Sequence, residues 1–299
     1  MSHVVWSQWE DLVVPEGFTR LTPSTTPLAT SDLSAITFFV PEYMSSKSLL
    51  EYSKQMPSLQ YLQVPNAGFD DAIAYLRKGV VLCNARGVHN ASTAELGVGL
   101  AITARRGFAD FAKAQQQGDW LHTQYASLND SNIAIIGAGS ISQTLQNYLA
   151  PYDVTITVYS RSGANNSKLM TELDKDLHTF DIVFLIMPLN EDSRNMFDAR
   201  RLTLMKDGAL IVNIARGAVI NTDALVAELN SGRLYAALDV TDPEPLPKGH
   251  PLWSAKNCII SPHVGGDSTA FISRGKRLIE EQLIRLSQGE EPINIVARG

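Results

Sequence analysis

From Asn132 onward the chain repeats one unit: a short, mainly apolar run, a turn, and a stretch with helical periodicity. The apolar runs Ile133–Ile136, Val154–Tyr159, Ile182–Met187, Ala209–Ile214, Leu234–Asp239 and Cys258–Ile260 read as strands. Helical stretches lie near 140–149, 194–205 and 221–231. A regular alternation of strands and helices is the pattern of parallel neighbours joined by crossovers, and parallel sheets are covered on both faces. Few folds satisfy such a pattern. It specifies an α/β chain with a complete doubly wound parallel sheet.

The first 95 residues use the same grammar more loosely. Ile36–Val40, Leu59–Val64 and Val80–Cys83 read as strands, with helices over Ser46–Gln55 and Asp70–Lys78. A longer helix follows, for which Ser92 and Glu95 form a candidate capping box. Leu96, Leu100, Thr103 and Ala104 share one face of it, and Gly97, Gly99 and Ala101 keep part of its surface small. Either a domain- or subunit-contacting helix or an ordinary buried helix fits that pattern. Gln115–Asp130, polar and glycine-containing, reads as the link between the halves. The last helix, Phe271–Ser287, follows the completed second sheet, and would make the first half discontinuous if it packs there.

The 299 residues suit two domains of about 150 residues each. A hydrophobic fraction of 44% and a charged fraction of 19% exclude wholesale disorder and a charged coiled coil. The charge of −6 and pI near 5.5 argue against a general nucleic-acid or membrane-surface binder. The longest apolar run, Ile182–Leu189, falls far short of the ~20 residues of a spanning helix. No leader pattern opens the chain, so a cytoplasmic protein is expected. Cys83 and Cys258 are too few for a disulfide framework, and the histidines at 3, 89, 122, 178, 250 and 263 show no metal-ligand spacing.

The run Ile133-Ala-Ile-Ile-Gly137-Ala138-Gly139-Ser140-Ile141-Ser142 takes a strand through a glycine turn into a helix. Gly137 suits the tight turn, and Gly139 lets backbone approach a pyrophosphate. The helix from Ser140 and Ile141 offers unpaired N–H groups to that anion. Ser142 stands at the third small position, and an ordinary turn remains the alternative. The next strand ends in Ser160-Arg161 and not in a carboxylate. A hydroxyl and a guanidinium would hold a ribose 2′-phosphate, which points to NADP(H), with NAD(H) possible if Arg161 is merely solvated.

Three ionisable residues follow strand ends of the second sheet: Arg216, Glu244 and His263. Carboxyl ends of strands are where open α/β sheets bind ligands. Singly each has a dull reading; jointly they point to chemistry.

The blocks N-I-A-R-G (213–217), A-L-D-V-T-D-P-E-P-L-P (237–247) and S-P-H-V-G-G (261–266) resemble the signatures of the D-isomer-specific 2-hydroxyacid dehydrogenases. So do N-A-G-F-D (66–70), C-N-A-R-G-V (83–88), A-E (94–95), G-D-W (118–120), G-A-G-S-I-S (137–142) and M-P-L-N (187–190). The short glyoxylate/hydroxypyruvate reductase type is resembled most, through Ser160-Arg161 and Pro251-Leu-Trp253. The resemblance implies a Rossmann-like cofactor domain over 95–267, inserted into a flavodoxin-like substrate domain built from 1–94 and 268–299. It implies His263 as general acid, Glu244 as its partner, and Arg216 as the grip on a carboxylate and keto oxygen. Ala67 and Gly68 would complete the carboxylate site, and Asp239 would orient the nicotinamide amide. Pro188, Ile214, Ala215 and Gly265 join Gly137, Gly139, Ser140, Ile141, Ser160, Arg161 and Asp239 as implied cofactor contacts.

The implied reaction moves hydride between NADP(H) and C2 of a small 2-keto or 2-hydroxy acid, with glyoxylate or hydroxypyruvate favoured. An NAD-linked enzyme of the phosphoglycerate dehydrogenase kind is the sibling alternative, and a cofactor-sensing corepressor is one of another class. The loop Pro41-Glu42-Tyr43-Met44 offers no cation for a phosphorylated substrate, and Glu244 disfavours formate oxidation, which tends to pair His with Gln. Arg86 departs from the family, which usually has Pro there. No appended regulatory domain is expected. A homodimer through the cofactor domain, using the helix after Ala94 and the arm near Trp120, is what the resemblance implies.

Overall fold

The apolar runs do become strands, between two and six residues long. The structure is a computed structural model describing residues 2–44 and 48–299. In chain order the first unit supplies β1 (Val4–Trp6), β2 (Thr19–Leu21), β3 (Phe38–Phe39), α1 (Ser48–Glu51), β4 (Tyr61–Gln63) and β5 (Val81–Cys83). The second unit begins with α2 (Asn90–Arg105), α3 (Phe108–Gln117), β6 (Asn132–Ile136), α4 (Ser140–Leu149), β7 (Thr155–Ser160) and β8 (Lys168–Leu169). It continues with α5 (Leu173–Asp176), β9 (Ile182–Leu185), α6 (Ala199–Leu204), β10 (Leu210–Asn213), α7 (Thr222–Asn230), β11 (Tyr235–Leu238) and β12 (Cys258–Ile260). The chain then returns to the first unit with α8 (Ala270–Ser287) and β13 (Ile295–Arg298). The two compact units are Met1–His89 with Asp267–Gly299, and Asn90–Gly266.

Each unit is an α/β sheet structure of the expected class. The second sheet runs β12-β11-β10-β9-β6-β7-β8, and every pairing in it is parallel. Strand order reverses between β6 and β9, so connections leave that point in opposite directions and open a crevice at the carboxyl edge. Alternate residues of one strand feed opposite cores. Ile133 and Ile135 pack with Leu100 of α2 and Leu145 and Leu149 of α4. Ala134 and Ile136 pack with Leu173, Leu202, Leu225 and Leu229 on the other face. Each buried leucine or isoleucine contributes roughly 1.5–3 kcal/mol, so both faces must be covered for the sheet to stand.

The first sheet runs β13-β5-β4-β3-β1-β2, with β13 antiparallel to β5 and the other pairings parallel. Here α8 closes one face through Phe271, Leu278, Ile279 and Leu283 against Val5 and Phe38. Gln282, fully buried on α8, is satisfied by Gln63 and by the Ile293 backbone on both its donor and acceptor sides. Burial of that helix, together with β13, is what makes the first unit discontinuous in sequence.

Several local expectations need correction. Helix α2 starts at Asn90, so Ser92 sits buried inside its first turn and is no N-cap. Gly97 faces Ile214 of the same unit, whose Cδ1 would lie 2.9 Å from a Cβ there, whereas Gly99 meets nothing. Gln115–Asp130 does not divide the units, since α2 and α3 both belong to Asn90–Gly266. Helix α3 lies between two left-handed glycines, Gly107 and Gly118, a punctuation that the polar composition concealed. The stretch near 194–205 is helical only from Ala199, where the Asp198 carboxylate accepts from Arg201 N–H. Asp70–Tyr75 is a 3-10 turn. Of Ser46–Gln55, the first two residues lie outside the described residues; the rest forms α1 and a 3-10 turn.

Candidate active site

Strand β10 is buried along its length and delivers Arg216 at the carboxyl edge. Its last residue, Asn213, is 1% exposed and folds its amide over the following loop. Nδ2 donates to the Arg216 carbonyl at 3.0 Å, and Oδ1 accepts from the Ala215 N–H at 3.1 Å. Arg216 itself is extended, and its Nη1 donates to the Ala215 carbonyl at 2.7 Å. Gly217 then touches the next loop so closely that a Cβ would lie 2.0 Å from the Thr241 carbonyl. No residue with a side chain fits there, and the loops after β10 and β11 meet because of it.

Strand β11 continues into Asp239, 3% exposed, which organises the loop after β12. Its carboxylate accepts from Ser261 Oγ at 2.7 Å, Val264 N–H at 2.9 Å and Gly265 N–H at 2.8 Å. Its carbonyl accepts the His263 N–H at 2.7 Å. Those bonds accompany His263 at φ +55°, a left-handed conformation that is uncommon for any residue other than glycine. Gly265 is required as well, because a Cβ would come within 2.9 Å of Asp239 Oδ2.

Between β11 and β12 the chain carries Glu244, flanked by cis prolines 243 and 245. Thr241 Oγ1 donates to the Pro243 carbonyl at 2.9 Å, and Thr222 Oγ1 to the Asp242 carbonyl at 2.8 Å. The turned loop brings Glu244 Oε1 within 2.6 Å of His263 Nδ1. The Glu244 hydrogen bond and charge raise the His263 pKa against the opposing effects of burial and the Arg216 charge. Burial would push the Glu244 carboxyl up, but the hydrogen bond and charge of His263, the Thr241 N–H and Arg216 together bring it below its ordinary value. The two shifts agree in sense: carboxylate and imidazolium favour one another. With Nδ1 committed to Glu244, the Nε2 edge is left to act on a reacting atom.

Strand β6 enters its glycine turn at Gly137, where φ is +120° and a Cβ would press on the Ile186 peptide at 3.0 Å. Gly139 has open space where a Cβ would stand, with nothing within 4 Å. Ser142, fully buried, takes the helix–strand packing position. Ala138, Gly139, Ser140, Gln143, Gln146, Val158 and Asn165 line a cavity of about 290 Å³ at the start of α4. Asn165 reaches over from the loop after β7 and donates to the Ala138 carbonyl at 2.9 Å. A glycine with room around it, a helix N-terminus and this cavity suit a dinucleotide's pyrophosphate.

Ser160 ends β7 with its hydroxyl 2.6 Å from Ser167 Oγ. Arg161 follows, 84% exposed and 3.9 Å from Asp192. Beyond β9, the Pro188 carbonyl accepts from Ser193 Oγ at 2.8 Å, which closes the turn on that side of the crevice. Arg216, Glu244, His263, Asp239 and the implied cofactor contacts therefore all lie in the second unit. Ala67 and Gly68 lie in the first, after β4. Their loop is tied to the end of β5 by Asn84 Nδ2, which donates to the Ala67 carbonyl at 2.6 Å. Arg86 uses the backbone N–H that a proline would lack, donating to Asn84 Oδ1 at 3.3 Å. Asn213, Asn84, Gly217 and Ser261 support the site without being recognisable as site residues from the sequence. Their only signal is membership in the resembling blocks: Asn213 and Gly217 in 213–217, Asn84 in 83–88 and Ser261 in 261–266.

A sequence model of the family described as D-isomer specific 2-hydroxyacid dehydrogenase, NAD binding domain, matches residues 98–265. A Corynebacterium melassecola protein described as an uncharacterized protein in proB 3′region is 34% identical over 71% of this chain and 74% of its own. The glyoxylate reductase of Aeropyrum pernix is 31% identical over 82% of this chain and 78% of its own. Among solved structures, a D-isomer specific 2-hydroxyacid dehydrogenase family protein from Aeromonas salmonicida matches with a TM-score of 0.85 at 25% identity. That match covers 99% of this chain and 98% of the other.

Proposed function

From a chain that belongs to the D-isomer specific 2-hydroxyacid dehydrogenase family, and is thereby an NAD(P)-dependent oxidoreductase, we infer that it reduces glyoxylate, hydroxypyruvate or a similarly short 2-keto acid. The observation that carries this reading is the 2.6 Å Glu244–His263 contact beside Arg216 at the carboxyl edge of the sheet. Bound nicotinamide supplies the hydride. His263 Nε2 gives its proton to the keto oxygen in reduction and takes it back in oxidation. Arg216 offers a planar pair of donors to the carboxylate and the keto oxygen. The absence of a cation in Pro41–Met44 supports a substrate without a phosphate tail.

NADPH is the preferred reductant in this reading, because Ser160-Arg161 stands where an NAD enzyme places a carboxylate. The exposed Arg161–Asp192 pair at 3.9 Å costs little to give up. A panel of 2-keto acids assayed with NADH and NADPH in parallel tests both points. Arg161→Ala is expected to weaken NADPH roughly 10–100-fold, the worth of a charged hydrogen bond, and to leave NADH almost unaffected. Absence of turnover with every short 2-keto acid would refute the reaction; equal use of both coenzymes would refute the preference.

The pH dependence has a definite sign. Reduction needs protonated His263, so its kcat/KM is high below the raised His263 pKa and falls as pH rises through it. Glu244→Gln removes the largest cause of that elevation. Its alkaline limb for reduction should move to lower pH, and a limb that stays in place would exclude Glu244 as the source.

The reading extends to a two-fold dimer through the second unit, supported by Trp120, which is 97% exposed beside half-exposed Leu121. Elution of the intact 32.7 kDa chain at twice that mass checks it, and monomeric elution at micromolar concentration refutes it. No helix among the described residues is long and apolar enough to cross a membrane. Burial pushes the free thiols of Cys83 and Cys258 up to about 12, which makes them inert and in keeping with a cytoplasmic setting.

A further inference from the structure

Strand β10 reads Leu210-Ile-Val and then, at its buried end, a polar residue. An apolar side chain would pack more cheaply at such a position, since a buried amide costs free energy unless its donors and acceptor are used. The Asn213 amide is spent on the backbone of the loop that carries Arg216. One arm accepts the Ala215 N–H at 3.1 Å and the other donates to the Arg216 carbonyl at 3.0 Å. That carbonyl also accepts the Val219 N–H at 3.2 Å, and the Asn213 carbonyl accepts the Asp239 N–H at 2.9 Å. Gly217, next along, is wedged against the Thr241 peptide. Arg216 is therefore held from both sides by groups fixed in the sheet.

We propose that Asn213 is a positioning residue for Arg216: its buried amide, bridging Ala215 N–H and Arg216 C=O, sets the guanidinium where a 2-keto acid's carboxylate and keto oxygen are gripped. The proposal rests on the function inferred above. It differs from a packing role because it acts on the reaction only through Arg216. A guanidinium displaced by about 1 Å is enough to cost roughly 100-fold in rate.

The experiment is a double-mutant cycle on the full-length enzyme with glyoxylate and NADPH. Asn213→Ala alone should lower kcat/KM for glyoxylate by roughly 10–100-fold when read at saturating NADPH. In an Arg216→Ala background the same substitution should change kcat/KM less than about twofold, because the residue it positions is already gone. Asn213→Asp keeps the acceptor for Ala215 and loses the donor to Arg216; it carries the cycle if the alanine variant does not fold. The Nε–H resonance of Arg216, assigned by its loss in Arg216→Ala, should shift in either Asn213 variant. Additive effects in the cycle, or an unmoved arginine resonance, would overturn the proposal. A wild-type enzyme with no 2-keto acid turnover would overturn the inferred function instead, and the resonance would still decide what Asn213 does.

Discussion

Replacing His263 with asparagine is expected to lower kcat for 2-keto acid reduction by roughly 10²–10⁴-fold, the usual worth of a positioned general acid. Asparagine is the informative choice because residue 263 sits at φ +55°, and asparagine tolerates that region better than alanine does. The loss then reports on the proton and not on a collapsed loop. Coenzyme affinity should hold, since the glycine turn and α4 form without the imidazole. The alkaline limb of the pH profile should also vanish, because the group whose raised pKa defines it is gone. Nicotinamide absorbance measures the rate, and fluorescence titration the affinity. An asparagine variant within tenfold of the wild type would mean that the proton comes from elsewhere.

Removing the guanidinium is the second large effect. Arg216→Ala should cost roughly 10²–10³-fold in kcat/KM, comparable to losing a donor aimed at a developing oxyanion. Arg216→Lys should recover little of this, since an ammonium is a point charge and cannot present two parallel donors. A diagnostic sign separates Arg216 from Glu244. The Arg216 charge opposes the rise in the His263 pKa. Arg216→Ala should therefore move the alkaline limb of the residual reduction activity to higher pH, opposite to Glu244→Gln. Substrate steady-state kinetics across pH reads both quantities. A lysine variant with near wild-type kcat/KM would show that charge alone suffices.

The reacting groups were legible because each follows a strand with a strong apolar signature. The runs before Arg216, Asp239 and His263 are long enough to be recognised, and the carboxyl edge of a parallel sheet is where such residues collect. What supports them was not legible. Asn213 and Asp239 both appear as polar residues at strand ends, and periodicity cannot say whether such a side chain faces ligand or its own loop. The structure gives Asp239 a supporting task, accepting Ser261, Val264 and Gly265 to hold the His263 turn. Gly217 and Gly265 likewise look like loop glycines until the Thr241 peptide is seen to occupy the place of a Cβ at the first and the Asp239 carboxylate to crowd it at the second. Other strands were missed for a different reason: β2 (Thr-Arg-Leu) and β8 (Lys-Leu) are exposed or half-exposed and carry polar residues, so no apolar run marks them.

The sequence by itself determined the class of fold, the parallel second sheet and the glycine turn at its centre. Hydrophobic period and turn chemistry are local properties, and they survive in one dimension. Only the tertiary structure decided that β13 joins the first sheet beside β5, that α2 begins at Asn90, and that the loops after β10, β11 and β12 interlock. Those outcomes depend on hydrogen bonds and close contacts between segments distant along the chain. The 2.6 Å approach of Glu244 to His263, nineteen residues apart, is of that kind. No single segment encodes it; it exists because adjacent strands deliver their loops to the same edge.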